Sequence, residues 1–287
     1  MEQAVTGPRR VGIRDIEIEY EEHGSGQRPF LLVHGYTGSR DDWREQLPAL
    51  SELGRTLALD QRGHGGSTNS GRPEHYNLDG LVLDLAAFVE TLDLAPFDLL
   101  GHSMGGMVAL RYTLAYPERV ASLALMDTSA GPIQVLPEDL WKVIAPVARN
   151  QGMEVIAKGL RERAAGDPRR PEAARRTEQA MGSELFWERV EAKLLAMDPE
   201  AFATLGLGLG VHESAADRLG EISCPTLVVV GDQDLPFLAP SRQLAEGIPS
   251  AKLQIISDAA HSPQLEAAPA WLAAISEHLR RARAIHE

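Results

Sequence analysis

The chain is poor in three things: cysteine, positive charge and long apolar runs. Its one cysteine, Cys224, has no partner for an intrachain disulfide, so covalent stapling is excluded and an intracellular setting is expected. Basic residues number 28 against 41 acidic ones, a formal net charge of −13. A surface this acidic repels a phosphate backbone or an anionic bilayer, which argues against nucleic-acid and membrane partners. It also disfavours substrates with several negative charges, unless a local patch reverses the sign. The longest aliphatic runs, such as 227–230, fall far short of the roughly 18 residues a membrane-crossing helix needs. Residues 1–10 contain Glu2, Gly7 and Pro8 and no apolar stretch of the secretory kind, so the expected location is the cytoplasm. There is no H-E-x-x-H, C-x-x-C or paired-histidine spacing and no G-x-x-x-x-G-K-[ST] loop, so neither a metal nor a cofactor is expected.

What is present is a globular composition, 44% hydrophobic over 287 residues, enough to bury a sizeable core. No repeat of 20 to 50 residues stands out; the pattern is alternation. Residues 16–20 alternate apolar and polar, as a half-buried antiparallel strand does. Short continuous apolar runs follow at 30–33, 56–59, 97–100, 122–126, 226–230 and 253–256, which suits strands buried on both faces of a parallel sheet. Helical spacing of apolar residues separates them at 78–92, 104–116 and 265–282. The expected class is therefore α/β, a three-layer fold with a mostly parallel sheet.

The alternation stops over 131–218, which holds only helical patterns punctuated by prolines. This stretch is expected to be an all-helical insertion in a core formed by 1–130 and 219–287. Residues 166–171, Gly-Asp-Pro-Arg-Arg-Pro, predict an exposed turn between two of its helices. The run 205–210, Leu-Gly repeated three times, predicts a bend or a cavity lining, and it lacks the spacing of a dinucleotide fingerprint. Trp43, Trp141, Trp187 and Trp271 are far apart in the chain and are not expected to cluster.

The sharpest motif is Gly101-His102-Ser103-Met104-Gly105, which follows an apolar strand and opens a helix. This is the setting of a nucleophile elbow. A sharp turn at Ser103 forces strained backbone and crowds the positions two before and two after, where only small residues fit. The turn lifts the hydroxyl to a helix N-terminus, where free N–H groups favour developing negative charge.

With this elbow the chain resembles the α/β-hydrolase family over nearly its whole length. The other pieces are His34-Gly35, Asp60-Gln61-Arg62-Gly63-His64-Gly65, Gly231-Asp232-Gln233-Asp234 and His261, each just after an apolar strand. The resemblance implies Ser103 as nucleophile and His261 as its base, with the order serine, acid, histidine. It favours Asp234 as the acid, with Asp232 and Asp127 as rivals. It implies an oxyanion hole from the backbone N–H groups of Tyr36 and Met104. The Tyr36 side chain either offers a hydroxyl to substrate or walls the pocket. His102 reads as structural, His34 and His64 as fixing backbone, and His23, His75, His212, His278 and His286 as surface. Cys224, with no adjacent histidine, reads as a buried structural thiol.

The resemblance implies a cap-bearing serine hydrolase of esters or lactones, a carboxylesterase or lactonase acting on a small molecule. A serine at the elbow departs from the epoxide hydrolases and haloalkane dehalogenases of this fold, which need an aspartate. Hydrolases of C–C bonds often carry a tryptophan after the histidine, where this chain has Ser262. Cofactor-free perhydrolases share the triad, and a non-catalytic ligand receptor on the same scaffold is the reading from another class. The insertion leaves after Asp127 and returns before Cys224, so it is expected to roof Ser103. Leu140, Trp141, Phe186, Trp187, Leu205, Leu207 and Leu209 are its candidate substrate-facing residues.

Overall fold

Side chains on successive strand residues divide between two hydrophobic cores, as a period of two requires. The computed structural model describes residues 7–284. Its strands are β1 (Arg9–Ile13), β2 (Ile16–His23), β3 (Phe30–Val33), β4 (Thr56–Leu59), β5 (Phe97–His102), β6 (Val120–Met126), β7 (Thr226–Gly231) and β8 (Ala251–Ile256). They form one sheet in the order β1-β2-β4-β3-β5-β6-β7-β8. β1 and β2 run antiparallel to their neighbours, and the remaining pairings are parallel. On β3, Leu31 and Val33 enter one core while Phe30 and Leu32 enter the other. On β6, Leu123 and Leu125 separate in the same way from Ala124 and Met126.

Helices cover both faces. The first core takes residues from α2 (Leu78–Thr91), α3 (Met104–Ala115) and α9 (Leu235–Gly247). The second takes Leu47 and Leu50 of α1 (Leu47–Ser51), and Trp271, Ile275 and Leu279 of α11 (Ala268–Ala284). The three-layer α/β class expected from the alternation is what the chain adopts.

Five α-helices lie between β6 and β7: α4 (Glu138–Gln151), α5 (Met153–Gly166), α6 (Glu172–Met181), α7 (Ser183–Leu195) and α8 (Pro199–Gly208). Residues 167–171 form the connection between α5 and α6. The helical pattern at 265–282 divides into α10 (Pro263–Glu266) and α11, because Pro269 starts a new helix in its first turn.

One strand left no signal in the sequence, and three expectations need correction. β1 carries no apolar run; it is an edge strand on which only Ile13 is buried, so burial left little mark on its sequence. The Leu-Gly run is not a bend, though its Leu209 lines a cavity, the other half of that expectation. It continues α8, and Gly206 is required because a Cβ there would collide with Trp141 and the Tyr36 hydroxyl. Trp43 and Trp271 do cluster: their rings stack at 6.2 Å in the second core. His278 is not a surface residue but sits buried on α11, whereas His286 lies outside the described residues.

Candidate active site

Ser103 has φ 53° and ψ −119°, a left-handed conformation that a non-glycine residue adopts only under constraint. The constraint is visible on both sides. A Cβ at Gly101 would strike the Gly105 carbonyl, and one at Gly105 would strike the carbonyls of Val33 and His34. Thr128 Oγ1 donates to the Ser103 carbonyl at 2.6 Å. Ser103 stands at the N-cap of α3, so the N–H of Met104 has no acceptor within the helix.

The structure brings Ser103, His261 and Asp234 into one chain of contacts. Ser103 Oγ lies 3.0 Å from His261 Nε2, and His261 Nδ1 lies 2.7 Å from Asp234 Oδ2. Asp234 is buried at the start of α9, while the His261 side chain is 42% exposed. The His261 ring packs against two other rings. Phe237 stacks on it at 4.8 Å, and the His102 ring lies 4.8 Å away. His102 Nε2 donates to the His261 carbonyl at 2.7 Å. Burial, aided by His261, pushes His102 down to about 3, so it stays neutral.

The two rival acids sit differently. Asp232 is exposed, and its Oδ1 accepts from the Ala259 N–H at 3.3 Å. Asp127 is fully buried, and its Oδ1 accepts from the Gly231 N–H at 3.0 Å. Burial, and then the Asp234 charge, push its carboxyl well above the usual range, so it is held neutral. One ligand atom from each of Asp127, Asp234 and His261 lies within 4.8 Å of the others, a spacing a cation could use. The His261 Nδ1 contact with Asp234 already occupies that nitrogen.

The strand-end loops are tied together by histidines. His34 Nδ1 donates to the Gly35 carbonyl at 2.7 Å, and its Nε2 accepts from the Gln61 N–H at 3.0 Å. His64 Nε2 donates to the Tyr36 carbonyl at 2.5 Å. Gly35 fits closely beside Ser103: a Cβ there would come within 3.1 Å of the Ser103 Cβ and of His102 Nδ1. The Tyr36 hydroxyl donates to the Phe202 carbonyl of α8, and its ring stacks on Phe202 at 5.8 Å. Its hydroxyl proton is therefore engaged by α8, and the residue lines the cavity beside Ser103, as the walling reading expects. Cys224 is buried, and burial raises its thiol to about 11, which leaves it inert.

Two cavities meet at His261. One, of about 410 Å³, is lined by Ser103, Tyr36, Met104 and Phe237 with Ile133, Val135 and Leu209. The other, of about 510 Å³, lies between His261 and helices α6 and α7. Asp42, Lys193, His261, Ser262 and Leu265 line both. Lys193 Nζ, from α7, contacts Asp42 Oδ1 at 2.5 Å where the cavities join. No sequence signal marked this pair. Of the seven substrate-facing candidates, Phe186 and Leu209 line these two cavities. Trp141 packs on Phe202 at 5.5 Å, and Trp187 is buried with its Nε1 bonded to Glu178.

An eight-stranded, mostly parallel sheet with a serine elbow and a following histidine defines a class, and the chain belongs to it: it is a member of the α/β-hydrolase fold family, whose model matches residues 28–268. Particular relatives differ in what they are named for. A 2-hydroxy-6-oxononadienedioate/2-hydroxy-6-oxononatrienedioate hydrolase of Klebsiella pneumoniae is 30% identical, covering 94% of this chain and 93% of its own. A putative 2-succinyl-6-hydroxy-2,4-cyclohexadiene-1-carboxylate synthase of Bacillus subtilis is 27% identical, over 90% and 93%. Among solved structures, a thermophilic esterase from Thermogutta terrifontis superposes with a TM-score of 0.80 at 29% identity, over 96% of this chain and 99% of that one. No helix among the described residues is long and apolar enough to cross a membrane.

Proposed function

We propose that the protein is a serine hydrolase that cleaves a neutral carboxylic ester or lactone through an acyl-enzyme on Ser103. The observation that carries this reading is the continuous path from Ser103 Oγ to His261 Nε2 at 3.0 Å and from His261 Nδ1 to Asp234 Oδ2 at 2.7 Å. A serine hydroxyl is a weak nucleophile until a base takes its proton. His261 Nε2 takes it as Oγ attacks the carbonyl carbon. The N–H groups of Tyr36 and Met104 receive the oxyanion. Asp234 accepts the Nδ1 proton in a hydrogen bond and stabilises the imidazolium. His261 then gives its proton to the leaving alcohol oxygen. A water loses a proton to the same nitrogen, attacks the acyl carbon and frees the acid, which returns Ser103 to its hydroxyl form.

The helices α4 to α8 act as a cap over this chemistry. Contacts of Tyr36 with Phe202 and of Lys193 with Asp42 join them to the strand-end loops.

The class of substrate follows from charge. The Klebsiella relative is named for a dioate, which carries two carboxylates. Among the described residues lining the Ser103 cavity, the permanent cation is Lys193, and it is paired with Asp42. With a chain charge of −13, this favours a neutral ester or lactone over a dianion. A turnover panel tests the reading: p-nitrophenyl esters, γ-lactones, a vinylogous diketone acid, and peracid formation from acetate and peroxide. The expected result is fast turnover of esters or lactones. Preferential cleavage of the diketone acid would move the activity to C–C bonds, and no turnover with tight ligand binding would make the protein a receptor.

A further inference from the structure

The two cavities meeting at His261 are not equivalent, because the histidine has a direction. In acyl transfer His261 Nε2 protonates the oxygen of the leaving alcohol, so that oxygen must lie on the His261 side of the reacting carbon. The 510 Å³ cavity is lined by His261 but by neither Ser103 nor the oxyanion-hole residues Tyr36 and Met104. The 410 Å³ cavity is lined by all of these. We infer that the cleft between His261 and helices α6 and α7 receives the apolar part of a neutral leaving alcohol, while the pocket under Ile133, Val135 and Leu209 receives the acyl chain. This assignment rests on the acyl-enzyme reading above and deepens it.

The lining decides the chemistry of the alcohol. Ala174, Met181, Leu185, Phe186, Val190 and Leu265 give the cleft an apolar wall. Its three cations each have a carboxylate partner: Arg44 with Asp41, Arg189 with Glu45, and Lys193 with Asp42. An acidic alcohol would have to separate one of these pairs. A hydrocarbon needs only to displace water. The Lys193–Asp42 pair lies on the wall common to both cavities, so it borders the alcohol and the acyl group alike.

Two ester series separate the lobes. Alkyl acetates from methyl to octyl vary only the alcohol, and p-nitrophenyl alkanoates from acetate to octanoate vary only the acyl chain. In the wild type, kcat/KM should rise along the alkyl acetates by about fourfold per methylene that enters the cleft. Leu185 and Val135 are 45% and 44% exposed, so an aspartate at either position is compatible with folding, which circular dichroism checks. Leu185→Asp should flatten the alcohol series by at least tenfold at octyl acetate relative to methyl acetate. It should scale all p-nitrophenyl esters by one common factor. Val135→Asp should do the reverse and flatten only the acyl series. An alcohol series that is flat in the wild type overturns the assignment. So does a Leu185→Asp variant that alters acyl-chain preference instead. Failure of the underlying reading looks different: Ser103→Ala would retain turnover of both series, whatever the lobes select.

Discussion

Asp127 and Asp234 face the same histidine from adjacent strand ends, yet only Asp234 bonds to it: Asp234 Oδ2 lies 2.7 Å from His261 Nδ1, while Asp127 Oδ1 takes the Gly231 N–H. Two carboxylates this close, one fully buried, do not both ionise. Burial, with the neighbouring Asp234 charge, holds the proton on Asp127.

That division predicts a ranking. Asp234→Asn should lower kcat by roughly 10³ to 10⁴, because the amide stabilises neither the required tautomer nor the imidazolium. Asp127→Asn should cost less than tenfold, since an amide resembles the neutral acid it replaces. Asp232→Asn should be near neutral. Steady-state kinetics on one p-nitrophenyl ester ranks the three, and a worst effect at Asp127 would transfer the acid role to β6.

Lys193 and Asp42 join α7 to the loop after β3. Burial alone would raise the Asp42 carboxyl; the charge and hydrogen bond of Lys193 outweigh it and hold the group below its usual range. Lys193→Met therefore strands a buried anion and should cost about 2–3 kcal/mol. Adding Asp42→Asn should recover most of that loss. Urea unfolding of the two single variants and the double variant measures the coupling, and strictly additive effects would show that the pair does not tie these elements together.

His278 supplies a pH dependence. Burial, with Arg281 contributing, lowers it to about 4. The unfolded chain, near 6.5, takes up the proton first. The stability that depends on a neutral His278 is therefore complete above about pH 6.5 and is lost as pH falls toward 4. His34 and His102, both lowered to about 3 chiefly by burial, act in the same direction over a wider window. His278→Leu should raise stability at pH 5 by on the order of 1–2 kcal/mol relative to its effect at pH 7.5. Urea midpoints at the two pH values decide it, and an equal change at both would mean the ring does not titrate on unfolding.

The strands and the elbow were legible because their signals are local. Four consecutive apolar residues mark a strand buried on both faces, and glycines two places either side of Ser103 mark a turn that admits nothing larger. Asp234 and His261 were legible only through resemblance, since 26 residues separate them in the chain and nothing local shows that they touch. The pocket was mostly illegible. Which face of a helix meets a cavity depends on what it packs against: Trp187 looks like a pocket residue by type but lies beneath Arg170, its ring 5.6 Å from the guanidinium. Leu185, beside it on α7, lines the cleft instead. The Trp43–Trp271 stack and the Lys193–Asp42 pair join residues more than 100 positions apart, and neither side of either pair carries a motif.

The central claim is that Ser103 becomes covalently acylated. Mixing enzyme with excess p-nitrophenyl ester in a stopped-flow instrument, then quenching for intact mass, tests it most directly. The expected result is a burst of about one p-nitrophenol per active site and a mass increase equal to the acyl group. Peptide mapping should place the adduct on Ser103, and Ser103→Ala should show neither burst nor adduct while retaining its fold. Continued turnover by Ser103→Ala above a tenth of wild-type kcat, or an adduct on any other residue, would contradict it.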